Sequence, residues 1–150
     1  MSPDLGPWVP LDLGAACTLL GAATFPWWIA GGQALDLYVG HQTRDHADLD
    51  VSLLRSDAPR WRALLAGWDL QLAHAGALTP WTQPDMRPPV NSAWCRTRPP
   101  EPWCLQAMFE EGTSTEWICR RHPEIRVPWS EAVLRSAEGT PTWHPSSNCS

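Results

Sequence analysis

The chain contains no lysine: all 11 of its basic residues are arginine. Lysine-dependent chemistry is therefore excluded, and so is a Walker-type phosphate loop, whose Gly-Lys-Ser/Thr core cannot be assembled. Nor do Cys17, Cys95, Cys104, Cys119 and Cys149 contain a C-x-x-C pair, and their number is odd. That spacing indicates neither a zinc site nor a disulfide framework and predicts reduced thiols in a cytoplasmic protein. Positive charge is in deficit, with 11 basic against 16 acidic residues and a formal net charge of -5. A non-specific nucleic-acid binder would show a basic stripe instead. An acidic enzyme, by contrast, can still bind an anion through local arginines and draw cationic ligands to its rim. The uncharged run from Leu13 to Leu35 is broken by Gly14, Gly21, Pro26, Gly31 and Gly32 and preceded by Asp4 and Asp12. It reads as a helix and a core strand, with no membrane span and no signal peptide. No internal repeat is visible.

What is present suits one domain with a sizeable core: 150 residues, 43% of them apolar, with 16 prolines and 11 tryptophans. Residues 1–10 are punctuated by proline and glycine and predict a loosely ordered N-terminus. A core over 11–139 follows. Leu13, Ala16, Cys17 and Leu20 share one face of a helix over 11–23. A strand is predicted at 27–30, a helix at 32–39, a polar loop at 41–47 and a strand at 48–54. Ser56 or Asp57 can cap a helix running to Ala66, and Gly67 stops it. Residues 68–74 alternate as a half-buried strand does. Past a loop over 76–89, strands are predicted at 90–95, 103–109 and 116–120, with the prolines of 98–102 in a hairpin connection. A short helix is predicted at 130–136, and 140–150 reads as a disordered polar tail. The tryptophans read as core.

Chemistry concentrates in two places. Gly31 and Gly32 stand between a strand and a helix, where backbone N–H groups can approach an anion at the positive helix end. Asp48 and Asp50, one residue apart on a strand, would face the same way. Two adjacent carboxylates repel unless a cation sits between them, which points to a divalent metal such as Mg²⁺. Phosphate beside a carboxylate-held metal is the layout of a nucleotide-transfer site.

The run from Trp27 to Leu54, with its GG, LD, TR-x-H and DLD elements, resembles the nucleotidyltransferases of the DNA polymerase β superfamily. It is most similar to the antibiotic-modifying branch of aminoglycoside-2''-adenylyltransferases and lincosamide nucleotidyltransferases. The resemblance implies an α+β nucleotidyltransferase fold, a mixed sheet flanked by helices. It also implies Mg²⁺-dependent transfer of a nucleoside monophosphate, AMP from ATP or the equivalent from another nucleoside triphosphate, to a hydroxyl of a small-molecule acceptor such as an aminoglycoside. Asp48 and Asp50 are then the catalytic metal ligands of a two-metal site. Gly31 and Gly32 cradle phosphate. Arg44 either neutralises phosphate oxygens or pairs with Asp45 or Asp36, and His46 either contacts phosphate or makes a structural hydrogen bond. Asp36 positions the loop.

A third carboxylate is expected in such proteins on the strand over 103–109, where the position stands occupied by Gln106, which is neither a base nor a strong Mg²⁺ ligand. Glu110 and Glu111 are the candidates to replace it. The resemblance implies a helical C-terminal region that is expected to be missing here, from a fragment, a shortened homologue or a frameshifted gene; apolar surface would then be exposed, which predicts poor solubility or a homodimer. The alternative reading is a truncated or non-catalytic module that binds a nucleotide or a protein partner.

Overall fold

The computed structural model describes residues 5–144. It is a mixed α+β structure with few helices. Helix α1 (Leu13–Leu20) is capped by Asp12, whose carboxylate accepts from Ala15 N at 2.7 Å. It is shorter at both ends than the 11–23 expected, because Asp12 caps it and Gly21 closes it. Strand β1 (Trp27–Ala30), helix α2 (Gly31–Val39) and strand β2 (Asp50–Leu54) follow in the expected order. A 3-10 turn over Arg55–Asp57 leads into α3 (Ala58–Leu64), with Pro59 in its first turn, where the missing N–H costs nothing.

The antiparallel strands β3 (Asp69–His74), β4 (Ala77–Pro80) and β5 (Ser92–Arg96) come next, so the loop expected over 76–89 contains a strand. The longest strand is β6 (Leu105–Gly112), joined to β5 through the prolines of 98–102. The chain continues through β7 (Glu116–Ile118), β8 (Arg126–Pro128), α4 (Trp129–Ala132), β9 (Val133–Arg135) and β10 (Pro141–Trp143). The helix expected over 130–136 thus turns to strand after Ala132.

The main sheet runs β4-β3-β5-β6-β2-β1-β10-β9, with β7 and β8 added off β6. Pairings β2 with β6 and β1 with β10 are parallel and the others antiparallel. Alternation assigns the two faces. Ile29, Val51, Leu53, Leu105, Ala107 and Phe109 are buried and pack with Leu20 of α1, Trp61 of α3 and Leu65 just after α3 in one core. The other face of the same strands carries Asp50 and Ser52 of β2 opposite Gln106 and Met108 of β6.

Both predicted ends of the chain are corrected. Trp8 bridges Trp103, Trp103 N donates to Pro7 O, and Val9 N returns to Trp103 O, so residues 5–10 are held against the sheet. Residues 141–143 are strand β10, paired with β1 through Ile29 and Thr142, and Thr142 is buried. Residues 1–4 and 145–150 of those two expectations lie outside the described residues. The cysteine expectation is corrected at one position: Cys119, fully buried, is disulfide-bonded, whereas Cys17, Cys95 and Cys104 are free. No helix among the described residues is long and apolar enough to cross a membrane.

Candidate active site

The site forms where β1 ends. Ala30, still extended, caps α2, and Gly31 enters the helix at φ +66°, a conformation glycine alone adopts at no steric cost. Both glycines also clear space. A Cβ on Gly31 would lie 2.5 Å from Asp50 Oδ2, and one on Gly32 would lie 2.7 Å from Arg44 Nη2 and 2.8 Å from His46 Nδ1. The di-glycine therefore lets a carboxylate, a guanidinium and an imidazole close around the first turn of α2. That turn has unsatisfied backbone N–H groups and carries the positive end of the helix dipole.

The loop from 41 to 47 is held by a buried carboxylate. Asp36, on α2, accepts from Thr43 N at 3.0 Å, from the Thr43 hydroxyl and from His46 Nε2. The Thr43 hydroxyl foremost, against the opposing effect of burial and with help from His46, holds the Asp36 carboxyl down at about 2. His46 spends Nε2 on this contact, which leaves Nδ1 over Gly32. Asp36 thus positions the loop, and Arg44 forms no ion pair with Asp36 or Asp45. Since its folded-state pKa is lowered, the stability Asp36 contributes is present above the ordinary 3.8 and is lost as the pH falls toward 2. Asp36→Asn is expected to free the loop, so that trypsin cuts after Arg44 at least tenfold faster in a timed digest read by mass spectrometry. An unchanged rate would mean the loop is held by something else.

Asp48 and Asp50 are arranged differently from the strand pair the sequence suggested. Strand β2 starts at Asp50, and Asp48 precedes it as an exposed loop residue whose carbonyl accepts from Gln33 Nε2 at 3.0 Å. Leu49 between them is fully buried and anchors the loop to the core. Asp50 is half-buried. Its Oδ1 is shielded from solvent and meets no hydrogen-bond donor. Burial, and then the charge of Asp48, push the Asp50 carboxyl up to about 6. An orphaned carboxylate oxygen beside a second carboxylate fits a hard divalent cation, which takes oxygen ligands and keeps waters and phosphate in its remaining positions. No cluster of three or more metal-ligating side chains occurs among the described residues.

Gln106 stands beside Asp50, paired across β2 and β6, so the amide occupies the place where a third carboxylate was expected. Glu111 lies on the opposite face of β6 and bonds Arg55 Nε at 2.5 Å. Arg55 also donates to the carbonyls of Met86 and Val90, which makes Glu111 part of a structural network away from Asp50. Glu110 shares the face of Asp50. Both line a cavity of about 470 Å³ together with Ser52, Met108, Trp143 and His144. Trp143 stacks on Trp28, with ring centroids 5.2 Å apart and planes 12° off parallel. Trp143 and His144 escaped the sequence reading because they were assigned to the tail. Ser52 was legible in principle, two residues along the strand from Asp50.

No curated protein matches the chain. Residues 12–74, the stretch from the cap of α1 to the end of β3 that contains Gly31, Gly32, Asp36, Arg44, His46, Asp48 and Asp50, match the family model of aminoglycoside-2''-adenylyltransferase, which supports a nucleotidyltransferase-like role.

Proposed function

We propose that the cleft binds a nucleoside triphosphate with Mg²⁺ and transfers its nucleoside monophosphate, AMP from ATP, to a hydroxyl of a small-molecule acceptor of the aminoglycoside type. The observation that carries this reading is the buried, unpartnered Oδ1 of Asp50 next to Asp48, set against the N-terminus of α2. Asp48 and Asp50 would hold the metal, whose chemistry when bound is to neutralise triphosphate charge and to orient the attacking oxygen. Gly31 and Gly32 offer backbone N–H groups to phosphate. The Arg44 guanidinium can bind phosphate oxygens bidentately, and His46 Nδ1 faces the same space.

In the transfer, the acceptor oxygen bonds to the α-phosphorus, the bond from that phosphorus to the bridging oxygen breaks, and pyrophosphate leaves. The hydroxyl proton needs an acceptor. Gln106 cannot serve, since an amide is not a base at neutral pH, so solvent water takes the proton and turnover is slow. Incubation with Mg²⁺, kanamycin and ATP labelled at the α-phosphate is the test. Label is expected on the acceptor with one pyrophosphate released per transfer. Bound nucleotide with no movement of label, even at high enzyme concentration, would contradict transfer and leave a binding module.

A further inference from the structure

The cleft holds a second carboxylate that the metal site does not use. Strands β2 and β6 are parallel in the register Asp50 to Gln106, Ser52 to Met108 and Leu54 to Glu110. Glu110 therefore shares the face of Asp50 but stands four residues further along. At about 3.3 Å per residue, with one strand spacing added, the two Cα positions are roughly 14 Å apart. Neither carboxylate can join the other on one metal ion. Both nevertheless line one cavity, with Ser52 and Met108 between them.

The Glu110 carboxylate is fixed in place. Its side chain is 19% exposed. Oε2 accepts from Trp117 Nε1 at 3.2 Å and lies 3.9 Å from Arg120 Nη1. That guanidinium is itself tied to Phe109 O at 3.1 Å, and the buried Trp117 ring meets Trp143 edge-on at 5.3 Å. Both contacts fall on Oε2, and Oε1 accepts no hydrogen bond among the described residues. Oε1 is thereby left to face the cavity that Glu110 lines, where a donor on a ligand can take the place of water.

We infer that Glu110 holds the distal end of the acceptor by taking a hydrogen bond from its hydroxyl or ammonium group, and that the spacing from Asp50 to Glu110 sets a minimum acceptor length. The inference rests on the transfer reading above and adds to it a residue and a length. A ligand spanning the cleft must carry its donor on the order of 10 Å from the hydroxyl being modified. One pyranose ring is too short, whereas two or three linked rings reach.

Calorimetric titration without nucleotide tests this, using glucosamine as a one-ring probe and kanamycin as a three-ring probe. Kanamycin is expected to bind and glucosamine to give no measurable heat. Glu110→Gln, which keeps an oxygen for Trp117, and Glu110→Asp, which keeps the charge but withdraws it, should each weaken kanamycin at least tenfold. Both variants should retain the parent's far-ultraviolet dichroism and its affinity for ATP with Mg²⁺. Equal kanamycin affinity in parent and variants, failure of the parent to bind kanamycin, or glucosamine binding as tightly as kanamycin would overturn the inference. Length- and Glu110-dependent binding in a parent that ignores ATP with Mg²⁺ would instead sink the transfer reading alone.

Discussion

Asp50→Asn, freed of metal, is expected to melt several degrees above the metal-free parent at pH 7 and to lose all magnesium-dependent nucleotide affinity. The two effects share a cause. Asp50 sits on β2 between β1 and β6, with Ala30 and Gln106 beside it, and its Oδ1 is buried without a donor. Its carboxyl is raised from 3.8 to about 6, chiefly by burial. The folded state therefore holds this proton more tightly than the unfolded chain does. Stability from Asp50 is highest below the ordinary 3.8, falls as the pH climbs, and has been lost above about 6. Ionising the group at pH 7 then costs on the order of 3 kcal/mol, which corresponds to several degrees in a chain of this size. Asparagine cannot ionise, so the metal-free variant should show a flatter profile between pH 4 and 7. Added Mg²⁺ should raise the parent's melting temperature and leave the variant's where it was. A metal-free variant that melts below the parent at pH 7 would mean that the carboxylate is paired and structural.

Gly31→Ala should be the second most damaging change, and comparison with another glycine separates its causes. Gly31 combines φ +66° with a Cβ position 2.5 Å from Asp50 Oδ2. Gly40, at the end of α2, has φ +88° with nothing within 4 Å of the added carbon. Alanine at Gly40 therefore reports the backbone cost alone, about 1 kcal/mol. Alanine at Gly31 carries that cost and must also push the Asp50 carboxylate aside or unwind the start of α2. We expect Gly31→Ala to lose about 2–4 kcal/mol in urea denaturation and at least a hundredfold in ATP affinity, with Gly40→Ala near the parent in affinity. Equal behaviour of the two variants would remove the packing of Gly31 on Asp50 from the account.

Local signals made the first third of the fold legible. A buried tryptophan-rich strand, a di-glycine entry to a helix, a polar loop and an aspartate-bearing strand are each encoded within a few residues, and the match over residues 12–74 covers the same stretch. The alternation expected along β6, with Gln106 on one face and Leu105, Ala107 and Phe109 on the other, is the pattern the strand has. Non-local pairing is where sequence reading stopped. Pro141-Thr142-Trp143 is too short and too polar in its surroundings to signal a strand. It becomes one because β1 offers a parallel edge and because Thr142 Oγ1 can donate to Ala34 O at 3.4 Å.

The site shows the same division. The types and order of its residues were readable, but their separations were not. Asp48 left the strand because Leu49 fills the core at its start. Glu110 and Glu111, adjacent in sequence, fall on opposite faces, one in the cleft and one bound to Arg55. Alternation along β6 assigns Glu110 to the face of Gln106, and the register of β6 against β2 sets how far it stands from Asp50.

The central claim is that Asp50 and the entry to α2 form one metal-dependent nucleotide site, and calorimetric titration of ATP with and without Mg²⁺ tests it most directly. The account predicts saturable binding by the parent with Mg²⁺, at least a hundredfold weaker binding once the metal is chelated, and no metal response in Asp50→Asn. Binding of equal strength with and without the metal, or unaltered by Asp50→Asn, would contradict it.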